Sequence, residues 1–188
     1  KNILLIGCST GIAYELSQKL KEDNKVFIST RDQEKFNDQN IITKELNLDQ
    51  EFETDWLPEQ IDGFVYLPGT INLRPFKGLK PSVFLEDFNI NVMGCIKILQ
   101  KVLSKIQASK NPSIVMFSTV AVKLGMPFHS SVSSSKGAIE GLTRSLAAEF
   151  APKIRVNCVA PSILETPMAE KFLNSETKLD NARNRHPL

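Results

Sequence analysis

Apolar residues fall in short continuous runs separated by stretches with helical spacing. Asn2–Ile6, Lys25–Thr30, Ile41–Leu46, Gly63–Leu67, Ile114–Phe117 and Ile154–Val159 are each four to six residues long and rich in Ile, Val, Leu or Phe. Such runs predict strands buried on both faces. Between them lie helical patterns. Leu16 and Leu20, four apart, follow Gly11; Phe52–Leu57 reads as a short amphipathic helix stopped by Pro58; Pro81 opens a long pattern reaching Gln107; and Ser131–Phe150 forms another. Pro68-Gly69 turn the chain into a loop through Pro75 and Gly78, and Asn111-Pro112 end the long helix. Strands alternating with helices predict right-handed crossovers and an α/β fold, a doubly wound parallel sheet in three α/β/α layers. With no internal repeat or linker, residues 1–188 are expected to form one domain.

The first strand runs directly into Gly7-Cys8-Ser9-Thr10-Gly11-Ile12-Ala13. In a doubly wound sheet this turn lies at the carboxyl edge of the first strand and aims the amide N–H groups of the following helix at a phosphate. Gly7 permits the tight turn, Gly11 permits close approach of a pyrophosphate, and Ala13 keeps helix and strand together. The turn therefore predicts a dinucleotide site.

The two longest helices carry more than one apolar stripe. Pro81–Gln107 holds Phe84, Phe88, Val92, Met93, Ile96, Ile98, Leu99, Val102 and Leu103, and Ser131–Phe150 adds small residues at Gly137, Gly141 and Ser145 to its core stripe. A helix burying one face needs less, so a homodimer or homotetramer packed through 81–107 and 131–150 is expected, with a thick core as the alternative. Composition narrows the setting. Of the residues, 41% are hydrophobic and 23% charged with a net charge of +2, ordinary for a globular chain. No basic run or aromatic-interleaved basic patch is present, so no nucleic-acid partner is expected. No apolar run reaches spanning length, and the sequence begins with a core strand, so neither a membrane span nor a signal peptide is expected. Cys8, Cys95 and Cys158 are widely spaced; they suggest buried thiols in a reducing, cytoplasmic setting and no metal site.

Several motifs in order resemble the short-chain dehydrogenase/reductase family over nearly the whole chain. The Gly7–Ala13 turn is similar to the family's T-G-x-x-x-G-I-G, with Ile6 for Thr and Ala13 for the last Gly. Tyr66-Leu67-Pro68-Gly69 stands where the family has N-N-A-G. Ile90–Gly94 resembles the helix segment with the active-site Asn. IVMFSTVA at 114–121 resembles I-V-N-I-S-S-x-A, and SSSKGA at 133–138 the tail of Y-S-A-S-K-x-x. IRVNCVAPS at 154–162, followed by Thr166-Pro167-Met168, is similar to I-R-V-N-x-x-x-P-G…T-P-M. The resemblance implies a Rossmann-type fold, a nicotinamide dinucleotide and a small-molecule substrate. The family's last strand and helix are not visible after Arg185-His186-Pro187-Leu188, so the C-terminal end is expected to be incomplete.

In the family a Tyr four residues before a Lys exchanges the substrate proton, the Lys holds the ribose hydroxyls and lowers the phenol pKa, a Ser hydroxyl stabilises the carbonyl oxygen, and an Asn holds a relay water. Lys136 is present, but four residues earlier stands Val132. Thr119, thirteen residues before Val132, takes the Ser position and keeps a hydroxyl; Asn91 is kept. His129 lies seven residues before Lys136, about two helical turns. Imidazole chemistry suits proton exchange at neutral pH; the alternative is a solvated loop histidine. Thr119, Lys136, Asn91 and His129 are therefore the candidate catalytic residues.

For the coenzyme, the residue after the second strand selects between its two forms. Arg31 stands there and predicts NADP(H), with NAD(H) as the alternative; Asp32 is expected to point away. Gly7, Ser9, Thr10, Gly11 and Ile12 are expected at the diphosphate, Asn47 and Leu48 at the adenine, Lys136 at the ribose, and Pro161, Ser162, Ile163 and Thr166 at the nicotinamide end, with Pro68 and Gly69 also in the cofactor site. The function expected is NAD(P)(H)-dependent reduction of a carbonyl or activated C=C with an atypical proton donor. The alternative is a non-catalytic dinucleotide-binding sensor or partner subunit. Leu124–Phe128 and 163–180 are expected to shape the substrate pocket, with Met126, Phe128 and Met168 hinting at an apolar one.

Overall fold

The structure, a computed structural model, describes residues 1–167 and 169–184; Met168 and the last four residues lie outside them. Six strands form one sheet: β1 (Asn2–Ile6), β2 (Lys25–Thr30), β3 (Ile41–Glu45), β4 (Gly63–Tyr66), β5 (Ser113–Phe117) and β6 (Arg155–Val159). Their order is β3-β2-β1-β4-β5-β6, and every pairing is parallel. This is the doubly wound order, which reverses between β1 and β4 and opens a crevice at their carboxyl ends.

Helices cover both faces. They are α1 (Gly11–Leu20), α2 (Pro81–Phe88), α3 (Gly94–Gln107), α4 (Ala121–Leu124), α5 (Ser130–Phe150), α6 (Glu170–Leu173) and α7 (Glu176–Asn184). Leu4, Ile6, Phe64, Ile114 and Met116 point from the strands to the face packed by α3 and α5, while Leu5, Val26 and Ile28 point to the α1 face. Both faces of the central strands β1, β2 and β4 are almost wholly buried, as their apolar runs require, while the edge strands β3 and β6 are only partly covered. Among the described residues no helix is long and apolar enough to cross a membrane.

The segment Phe52–Leu57 is not the helix its spacing suggests; it is an irregular turn. Six residues before a proline are too few to sustain a helical nucleus, and Phe52 and Trp56 instead pack their rings edge to face at 6.4 Å against the core. The long helical pattern at 81–107 is interrupted by a π turn at Asn89–Met93 that joins α2 to α3. The Tyr66 phenol donates to the Ile90 carbonyl at 2.5 Å. The phenol thus meets the chain within the π turn, the kind of local bulge often found at functional sites.

Candidate active site

The crevice at the β1/β4 switch point is a cavity of about 1170 Å³. Its floor is the turn from Gly7 to Ala13. Gly7 has φ +79°, and a β-carbon there would lie 2.7 Å from Pro68 Cδ; the turn and the loop after β4 are thus in direct contact. Gly11 has φ +59°, and a β-carbon there would lie 3.0 Å from Thr166 Cγ2. The segment after β6 therefore closes on the turn from the other side. Thr10 caps α1 in an extended conformation without a side-chain hydrogen bond, so its side chain does not occupy the first-turn amides, the feature that makes a helix start an anion site.

The structure brings most of the expected cofactor residues to this wall. Gly7, Ser9, Thr10, Gly11, Ile12, Arg31, Asn47, Leu48, Pro68, Gly69, Pro161 and Thr166 all line it. Arg31 is exposed at its rim, while the Asp32 carboxylate is drawn to Lys35 at 2.8 Å. Ser162 and Ile163 do not contribute to the wall; Ile163 is an exposed side chain. The wall also includes residues the sequence did not single out, among them Thr70, Ser82, Glu86 and Asn89. They come from the loop after β4 and from the start of the 81–93 helical segment, where no local motif marks them.

Lys136 lies beneath this wall. Its side chain is buried on α5, and Nζ stands 3.5 Å from the position a Gly69 β-carbon would take. Asn91 Oδ1 stands 3.3 Å from the same point, so Gly69 covers the two groups together. Asn91 Nδ2 donates to Asp87 O at 2.7 Å, Thr70 Oγ1 at 3.0 Å and Ser135 Oγ at 3.2 Å. Its buried Oδ1 has no protein partner, which costs free energy unless a water or ligand supplies one. Burial pushes the Lys136 ammonium down to about 8, against a smaller opposing effect of the Cys95 and Cys158 thiols. Burial likewise pushes the Cys95 thiol up to about 12, so it is no nucleophile near neutral pH.

The remaining candidates sit further out. Ser118 contributes to the cavity wall and Thr119 does not; the half-buried Thr119 hydroxyl accepts from the Ala121 N–H at 3.3 Å. His129 is the N-cap residue of α5, one position before the helix begins, with Nδ1 2.7 Å from the Pro127 carbonyl oxygen. It is not on the cavity wall. Val132 is buried one turn before Lys136.

Residues 42–188 match the family model described as enoyl-(acyl carrier protein) reductase. The chain belongs to the short-chain dehydrogenase/reductase family. Among curated proteins, this short-chain dehydrogenase/reductase is 38% identical over 101 residues to the 3-oxoacyl-[acyl-carrier-protein] reductase FabG of Thermotoga maritima, a match covering 53% of the chain and 40% of that protein. It is 33% identical over 118 residues to carbonyl reductase [NADPH] 2 of Sus scrofa, covering 62% of the chain and 48% of that protein. The chain spans about half the length of the curated relatives it matches. Among solved structures, ElxO with NADP bound superposes with a TM-score of 0.83 at 26% identity, over 100% of the chain and 90% of ElxO.

Proposed function

We propose that this short-chain dehydrogenase/reductase is an NADP(H)-dependent oxidoreductase that reduces a carbonyl or an activated C=C of a small molecule. The observation that carries this reading is the placement of Lys136. A buried ammonium sits under the glycine of the β4 loop, beside an unpartnered Asn91 oxygen, next to a crevice whose floor is a glycine turn at a helix start. These residues fit a dinucleotide. The turn positions that any β-carbon would crowd are glycines, the first-turn amides of α1 are free of a side-chain cap, and a cationic side chain, Arg31, stands at the end of β2 where a 2′-phosphate would need it. Similarity to carbonyl reductase [NADPH] 2 and to ElxO with NADP bound supports the same choice.

When bound, the nicotinamide coenzyme supplies the hydride. The chain's own residues position, polarise and manage the proton. The Gly7–Ile12 backbone holds the diphosphate, and Arg31 holds the 2′-phosphate. Lys136 donates to the ribose hydroxyls, and because burial favours its neutral form it exchanges a proton near neutral pH more readily than an exposed lysine. Asn91 Oδ1 orients a water against Lys136. The Thr119 hydroxyl polarises the substrate oxygen, and His129 Nε2, left free by the Nδ1 contact with Pro127, exchanges the substrate proton in place of a phenol. His129→Gln is expected to lower turnover at least about tenfold; unchanged turnover would remove His129 from the mechanism.

The reading as a whole is tested by following nicotinamide absorbance against a panel of ketones, aldehydes and enoyl compounds. Turnover on any of them supports it. A second reading, a dinucleotide-binding sensor or partner subunit, is favoured by one observation: Val132 is buried and apolar where a proton-exchanging side chain is expected. Tight NADPH binding without turnover on the whole panel would select it. We also propose self-association through α3 and α5, supported by Gly141, exposed with no atom within 4 Å of where its β-carbon would stand.

A further inference from the structure

Asp87 is fully buried on the last turn of α2, a position where an isolated charge is costly. Its hydrogen-bond partners are all neutral, and they come from two other segments. Thr70 Oγ1 and Asn72 Nδ2 donate to Oδ1 at 2.6 and 2.8 Å, and Ser131 Oγ at the start of α5 donates to Oδ2. The Asp87 backbone carbonyl also accepts from Asn91 Nδ2 at 2.7 Å. One carboxylate thus ties the loop after β4 to α2 and to the helix that carries Lys136. Gly69, the residue just before Thr70, is the one that covers Lys136 Nζ and Asn91 Oδ1. This set spans chain separations of 17, 15 and 44 residues. A local turn motif could not replace it.

We propose that Asp87 is a positioning residue: its carboxylate clamps the Gly69–Asn72 loop over Lys136 and Asn91 and so keeps the Lys136 ammonium shielded from water. Asp87 does not touch the cavity; it acts through Thr70 and Gly69. The groups facing Lys136 are Cys95 from α3 and Cys158 from β6. On its own helix, Glu140 is one turn on, bound to Ser118 Oγ at 2.7 Å. Around Asp87, the nearest titratable or charged residues along the packed segments are Glu86, Arg74 on the loop and His129 before α5; Glu86 and Arg74 are exposed and His129 half-buried.

The direction of one titration separates a clamp from a mere buried charge. Releasing the loop admits water to Lys136 and raises its midpoint toward the ordinary lysine value, whereas deleting a negative charge alone lowers it. The experiment is an NMR titration of the Lys136 ¹³Cε resonance in the free protein, assigned by its loss in Lys136→Met. The wild-type midpoint is expected at about 8. Asp87→Ala is expected to raise it by about one unit; an unchanged or lowered midpoint in folded Asp87→Ala overturns the clamp. Should Asp87→Ala not fold, Thr70→Val, which leaves the carboxylate in place and removes one loop anchor, is expected to raise it too, and Thr70→Ser to restore it. A wild-type midpoint in Thr70→Val overturns the proposal equally. The inference deepens the proposed cofactor site, but Lys136 is read without coenzyme, so failure of coenzyme binding and failure of the clamp are separate results.

Discussion

The Tyr66 phenol occupies the space that a β-carbon on Gly94 would need: such an atom would lie inside 3.0 Å of Tyr66 Oη. The same phenol donates to Ile90 O at the π turn that carries Asn91. Tyr66 therefore contacts the bulge and leaves no room for a side chain at position 94. Gly94→Ala is expected to destabilise the fold by about 1–3 kcal/mol through overpacking. In a Tyr66→Phe background, which removes Oη, the same change is expected to cost less. Urea denaturation of the four proteins of this cycle reads the coupling; additive effects would show that the two sites do not meet.

The glycine turn makes a sharper prediction. At Gly11, φ is +59° and a β-carbon would press on Thr166, and left-handed backbone costs an ordinary residue about 1–2 kcal/mol. Gly11→Ala is expected to weaken NADPH binding by about tenfold or more. Gly78→Ala, with open space around its β-carbon position and no positive φ, is the control: it is expected to leave NADPH binding unchanged. Fluorescence titration and thermal unfolding check the pair.

At the end of β2, Arg31 faces the cavity while Asp32 is held by Lys35. Arg31→Asp is expected to shift the NADPH-to-NADH affinity ratio by about tenfold or more, about 1.4 kcal/mol, toward NADH. An unchanged ratio would mean that Arg31 is an ordinary surface cation.

Lys136 couples the site to pH. Its folded pKa, about 8, lies below the ordinary lysine value of 10.5, so between the two the unfolded chain binds more protons than the folded one. Stability from this residue therefore rises with pH through that window, and the penalty is fully present below it. Cys8 and Cys95, each pushed up to about 12 by burial, act in the opposite direction above the ordinary thiol pKa, so the cleanest interval lies just above pH 8. Relative to Lys136→Met, the wild type is expected to gain about 1 kcal/mol between pH 8 and pH 9, measured by urea denaturation at both values.

The sheet was legible because its central strands β1, β2 and β4 are almost wholly buried and mostly apolar; the strand runs and the Gly7–Ala13 turn led directly to the crevice. The rest depended on contacts far apart in sequence. Phe52–Leu57 carries helical spacing, yet its rings pack as a loop. Helix α6 is only four residues long and α7 is polar, so neither has an apolar stripe to announce it. Asp87 sits among apolar neighbours on α2, and only the fold brings Thr70, Asn72 and Ser131 to it. Ser118 contributes to the cavity wall and its neighbour Thr119 does not, although the Ser118 hydroxyl itself is held by Glu140.

Titration calorimetry of the free protein with each coenzyme reaches furthest into this picture. NADPH is expected to bind at one site per chain, at least about tenfold more tightly than NADH, and Lys136→Met is expected to weaken it. Absence of binding heat with both coenzymes, in protein that is folded and otherwise stable, would contradict a dinucleotide site in this crevice.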